Sequence, residues 1–175
     1  MLNRFTKFQI ATAIAVLFHT IGLVGLLWFD KAFFLAATPF NLMLSFALLI
    51  WTQQEKKLHF IIFFTACFLV GVTVEIIGIN TGFLFGDYTY GDVLGYKFQK
   101  VPLLIGINWF IIIYCSGISI HTLLMKAINR VASYTGKTPA TLKALSVIVD
   151  GATLAVFFDW LMEPVAVKLG YWVWN

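Results

Sequence analysis

The run LHFIIFFTACFLVGVTVEIIGI, Leu58 to Ile79, contains no lysine or arginine and a single acid, Glu75. As a helix rising about 1.5 Å per residue it would reach about 33 Å, which matches the roughly 30 Å hydrocarbon core of a bilayer. It has no polar face to turn toward water, so a soluble amphipathic helix is excluded. Working outward, the same test finds four more apolar stretches, near residues 8–29, 33–51, 102–125 and 142–162. The first follows Arg4 and Lys7, but its apolar core is too long for a signal peptide and no small-x-small cleavage site follows, so it reads as a retained span.

Composition agrees. Of 175 residues, 61% are hydrophobic and 11% charged, with a mean hydropathy of +0.90. A soluble domain needs about a quarter of its residues charged. The expected fold is therefore all-α: a polytopic transmembrane bundle of about five spans, forming one integral-membrane domain over residues 1–175. Its net charge of +4 comes from cations scattered between apolar runs, which gives no patch for nucleic acid. With a cytoplasmic N-terminus, eight of the twelve cations fall inside: Arg4, Lys7, Lys56, Lys57, Lys126, Arg130, Lys137 and Lys143. Lys31, Lys97, Lys100 and Lys168 fall outside. The asymmetry follows the positive-inside rule and accounts for the basic excess. Cys67 and Cys115 both lie in apolar runs, so a disulfide framework and a cysteine metal site are unsupported. Three histidines are too few for a histidine-rich di-iron oxygenase.

Residues 80–101 interleave Gly82, Gly86, Gly91 and Gly95 with Phe83, Phe85, Tyr88, Tyr90 and Tyr96. A loop this apolar is expected to fold back over the outer mouth of the bundle, where glycine permits tight turns and tyrosine suits the interface.

An ionisable group at membrane depth is costly and marks a functional site by default. Glu75, Asp150, Asp159 and Glu163 are the cases here. Gly71, Glu75, Gly78 and Gly82 share one helical face, a small-residue stripe that turns Glu75 toward protein. Ala152, Ala155, Asp159 and Glu163 form a similar stripe, and the i, i+4 spacing stacks the two acids. Like charges in low dielectric resist joint ionisation, so one of the pair is expected to hold its proton. Asp150 projects to the opposite face. Asn108, Ile112, Cys115 and Ser119 suggest an inward polar face on the fourth span, with Trp109 beside Asn108. Thr12, Ala15, His19 and Gly22, then Thr38, Asn41 and Ser45, suggest comparable stripes on spans one and two. Each residue also has a plain alternative: helix-packing acids, a satisfied interhelical His19, solvated turn residues Asp87 and Asp92, and an interfacial belt at Tyr171, Trp172 and Trp174.

Three blocks carry a resemblance. Glu75-x-x-Gly78-x-x-Thr81-Gly82-x-x-Phe85-Gly86-x-Tyr88-x-Tyr90 is the first, and Leu94-Gly95 leading to Val101-Pro102-Leu103 and Trp109 is the second. The third is Asp159-x-x-x-Glu163-Pro164-Val165-Ala166 leading to Leu169-Gly170-Tyr171-Trp172-x-Trp174. Together they resemble the integral-membrane carotenoid biosynthesis protein family, which includes carotenoid 1,2-hydratases and bisanhydrobacterioruberin hydratases. The match runs from Glu75 to Trp174. Family members are expected to carry Asp-Pro where this chain has Glu163-Pro164, and to continue past the Trp-x-Trp block into a further aromatic-rich span.

The resemblance implies hydration of the terminal C1–C2 double bond of an acyclic carotenoid end to a tertiary alcohol, in the cell membrane and without a cofactor or metal. Such chemistry needs a carboxylic acid that donates a proton, aromatic faces for a tertiary cation and a polar group to position water. The catalytic candidates are Glu75, Asp159 and Glu163. Asp87, Tyr88, Tyr90, Asn108, Trp109, Trp172 and Trp174 are candidates for substrate binding. The expected partners are a polyene, water and the lipid bilayer, with other enzymes of the pathway as further candidates. Alternatives are an end-group cyclase, which shares the opening protonation, a proton-coupled transporter, and a carotenoid-binding subunit without catalysis.

Overall fold

In the computed structural model the described residues are 5–55, 57–135 and 139–175. Arg4, Lys56 and Lys137, counted in the charge asymmetry, lie outside them. The chain is a polytopic transmembrane helical bundle with a small β-ribbon at one end. Among the described residues, four helices are long and apolar enough to cross a bilayer: α1 (Lys7–Trp28), α4 (Leu58–Thr81), α5 (Leu104–Thr135) and α6 (Ala140–Leu169). Helix α1 starts on a capping box in which the Thr6 hydroxyl accepts from the Gln9 amide and the Gln9 side chain returns to the Thr6 N–H.

The expected span at 33–51 is instead two helices, α2 (Lys31–Ala36) and α3 (Thr38–Thr52). Asp30 caps α2 by accepting from the Phe33 amide at 3.1 Å. Pro39 has no N–H to continue that helix, but suits the first turn of the next, so the chain breaks at Ala37. The 15 residues of α3 cover about 22 Å, less than a bilayer core.

Helix α5 is the hub, packing against α3, α4 and α6, while α1 rests on α2 and α3. In its second turn Phe110 is fully enclosed, ringed by Phe46, Phe60, Phe63, Phe64 and Tyr114 at centroid distances of 5.0 to 6.1 Å. The close approach of α5 to α6 is made where Gly151 meets the backbone of Gly117, at 3.4 Å for an added Cβ.

Several expected stripes are displaced. On α5 the buried residues among those described are Ile105, Gly106, Phe110 and Ser116, and Cys115 is exposed. On α1 they are Ala11 and Gly25, with Thr12 and His19 exposed. On α6 they are Gly151 and Ala166, with Ala152 exposed. The close approaches are made at glycines, Gly25 against Phe34, Gly106 against Phe68 and Gly151 against Gly117, and these fix which faces turn inward. The α4 stripe is as expected: Gly71, Glu75 and Gly78 are all buried.

Helices α4 and α6 both end on a left-handed glycine, Gly82 (φ 65°) and Gly170 (φ 75°), which turns the chain back across the bundle end. The Gly/Tyr-rich segment then forms β1 (Tyr88–Tyr90) and a hairpin of β2 (Lys97–Phe98) and β3 (Val101–Pro102). Strand β1 pairs antiparallel with β4 (Trp172–Trp174). The loop is thus held as a strand, clasped to the C-terminal segment, and a core of Tyr88, Tyr90, Leu94, Val101 and Ile105 seals this end.

Candidate active site

Alternation along a strand decides which side chains meet the helices. In β1, Tyr88 and Tyr90 point one way and Thr89 the other, so both tyrosines are buried while Thr89 is exposed. The register pairs Tyr88 with Trp174 and Tyr90 with Trp172, and opposite residues share a face. Four aromatic rings therefore line one side of the ribbon. Tyr88 and Trp174 lie 5.4 Å apart, Tyr90 and Trp172 6.1 Å, and Tyr88 and Tyr90 5.6 Å.

Beneath them sit two carboxylates on different helices. Glu75, 8% exposed on α4, accepts from the Tyr88 hydroxyl at 2.5 Å and the Tyr90 hydroxyl at 2.9 Å, both at Oε2. The Trp109 indole of α5 donates to Oε1 at 3.1 Å. Glu163 on α6 accepts two indole N–H groups at its Oε1, from Trp172 at 3.1 Å and Trp174 at 2.6 Å. One ribbon thus supplies the tyrosine donors of one acid and both indole donors of the other. Three O–H or N–H donors converging on Glu75 fit a carboxylate, which only accepts.

The glycines of α4 make this approach possible. A Cβ at Gly71 would stand 2.6 Å from Cγ of Trp109, and one at Gly78 would stand 2.8 Å from Phe85 and 3.5 Å from the Tyr88 hydroxyl. The small residues four before and three after Glu75 are the seats of its donors. Burial, followed by the neighbouring Glu75, pushes both phenols well above the usual tyrosine range, so both stay protonated as donors.

Asp159, one turn before Glu163, is exposed on α6 and makes no hydrogen bond among the described residues. Its carboxyl lies within electrostatic reach of the Tyr88 phenol. Asp150 lies away from the group and accepts from the Ser146 hydroxyl at 2.6 Å.

Of the ten candidates from sequence, the structure gathers Glu75, Tyr88, Tyr90, Trp109, Asp159, Glu163, Trp172 and Trp174 at one end of the bundle. Asp87 and Asn108 stand apart. The Asp87 carboxylate accepts from the Asn175 side-chain amide at 2.8 Å and its carbonyl from the Asn175 backbone at 2.9 Å, which fastens the outer edge of the ribbon. Asn108 is half-buried with no side-chain hydrogen bond among the described residues. Sequence reasoning missed the strand pairing and the tie from the Tyr171 hydroxyl to Thr38 of α3, 2.7 Å long. The period-two spacing of Tyr88-x-Tyr90 and Trp172-x-Trp174 was the available signal.

A family model described as carotenoid biosynthesis protein matches residues 32–175. The bisanhydrobacterioruberin hydratase of Haloarcula japonica is 26% identical over 185 aligned residues, covering 99% of this chain and 55% of the hydratase. The chain thus spans about half the length of that curated relative. No solved structure matches it.

Proposed function

Because this chain belongs to the carotenoid biosynthesis protein family, we propose that it hydrates the terminal C1–C2 double bond of an acyclic carotenoid end group to a tertiary alcohol. The observation that carries this reading is the pairing of Glu75 and Glu163 under one aromatic ribbon, with Asp159 one turn from Glu163 and free of donors among the described residues.

The roles follow from the hydrogen bonds. Asp159 has no described donor aimed at it, and we assign it delivery of the proton to C2. That step breaks the π bond and leaves a tertiary cation at C1. The rings of Tyr88, Tyr90, Trp172 and Trp174 offer π faces to that cation, each worth about 0.5–2 kcal/mol. Water adds its oxygen to C1, and the proton it loses passes to Glu75, already set as an acceptor by Tyr88, Tyr90 and Trp109. Glu163 holds the Trp172 and Trp174 indoles in place by accepting from both. Solvent returns a proton to Asp159 and takes one from Glu75, so the sum is alkene plus water giving alcohol, with no change of oxidation state overall.

Expression in a host that accumulates lycopene or γ-carotene tests the reading. Hydration gives a pigment one water heavier, lost with Glu75→Gln or Asp159→Asn. An isomer of unchanged mass and shortened chromophore points to cyclisation instead. No new pigment from inserted, folded protein contradicts both.

A further inference from the structure

Beside the carboxylate pair, α6 and the overhanging β4 enclose an open groove of about 490 Å³, within the roughly 300–1,000 Å³ range of small-molecule sites. Trp160, Leu161, Pro164, Val167 and Trp174 give it apolar walls, and Glu163 ends it. The groove opens away from the rest of the bundle: Trp160 is 68% exposed and Leu161 50%. Among the described residues no other element covers that side, and a side of a membrane-spanning helix left uncovered faces lipid, so a bilayer-borne molecule reaches it without passing through water.

Its polar character is one-sided. Glu163 has both indole donors on Oε1, which leaves Oε2 with no described bond. Pro164, inside the helix, has no N–H for the Trp160 carbonyl four residues back, so a second acceptor on this face lacks its helical donor. Lys168 in the last turn also lines the groove and is its cation. An apolar trough whose end and floor present acceptors in want of a donor suits a long hydrocarbon that ends in a hydroxyl. An unreacted olefin end has no donor to offer.

We infer that this groove binds the hydroxylated end of an isoprenoid polyene, with the tertiary O–H donating to Glu163 or to the Trp160 carbonyl, and is the route by which the alcohol leaves toward lipid. The inference rests on the hydration reading for its ligand class. Glu163 thereby serves both the reacting centre and the exit.

The test uses the full chain carrying Glu75→Gln, in lipid nanodiscs, so that hydration does not interconvert the ligands. Quenching of tryptophan fluorescence is titrated with an acyclic polyene bearing a terminal tertiary alcohol and with its anhydro parent. The alcohol is expected to bind about tenfold tighter, the worth of one good hydrogen bond. Pro164→Ala restores an N–H to the Trp160 carbonyl without threatening the helix, and is expected to cut that preference severalfold. Val167→Phe fills the groove and is expected to weaken both ligands. Equal binding of the two polyenes, or a preference unmoved by Pro164→Ala together with affinities unmoved by Val167→Phe in protein of native helix content, overturns the inference. Because binding is read without turnover, a wild-type chain that fails to hydrate contradicts the proposed reaction while leaving this preference separately measurable.

Discussion

Tyr88 and Trp174 face each other across the β1–β4 pair, 5.4 Å between ring centroids, yet donate to different acids on different helices: Tyr88 to Glu75 of α4 and Trp174 to Glu163 of α6. The ribbon register therefore sets the geometry of both carboxylates at once. A slip of one residue in either strand would turn that strand's two rings to the other face and break the pairing of tyrosine with tryptophan.

Replacing Glu75 by Gln keeps the shape but turns one acceptor oxygen into an N–H donor facing two hydroxyls. Loss of a base at this position is expected to lower the rate by about 10²–10⁴-fold. Quantifying hydrated pigment per inserted protein checks it, and near-native turnover would remove Glu75 from the reaction.

Gly71→Ala and Gly78→Ala each place a Cβ where Trp109 or Phe85, respectively, now stands. Overpacking of this kind costs about 1–3 kcal/mol. Activity is expected to fall at least tenfold in both, while circular dichroism keeps its helical signal. The same change at Gly117, where nothing crowds an added Cβ, is the control.

Tyr88→Phe removes a hydrogen bond to a charged group, expected to cost about 1.5–3 kcal/mol. Tyr90→Phe is expected to cost a similar amount, and the double variant more than the sum, since both hydroxyls share Oε2 of Glu75 and either one alone still satisfies it. Thermal unfolding in detergent measures all three.

Because burial and Glu75 raise both phenols, the folded state holds their protons longer than the unfolded chain does. Stability from this source is complete below the ordinary tyrosine value of about 10 and is lost as pH rises above it. Ultraviolet difference titration of wild type against the Tyr88→Phe/Tyr90→Phe chain is expected to show no missing phenolate signal until the fold opens. Two extra phenolates in folded wild-type protein near pH 10 would contradict the buried cluster.

The helices were legible because a bilayer imposes length and hydrophobicity on each span separately, as in Leu58–Ile79. Glu75 was legible for the same reason, since Gly71 and Gly78 bracket it at helical spacing. The inward face of α5 was not: it follows Gly106 meeting Phe68 and Gly117 meeting Gly151, contacts that depend on partners distant in sequence. The break at Ala37 was marked by Pro39 but outweighed by unbroken hydropathy across residues 33–51. The β1–β4 pairing joins residues more than 80 positions apart, and no local pattern along three-residue strands selects the partner.

Hydration at C1 by an acid on one side and a base on the other is tested most directly with labelled water. The chain in membranes, supplied with an acyclic carotenoid in H₂¹⁸O and separately in D₂O, is expected to yield an alcohol with one ¹⁸O and, in the second case, one non-exchangeable deuterium on the adjacent carbon. A product without ¹⁸O, or a deuterium-bearing isomer of otherwise unchanged mass, would contradict it.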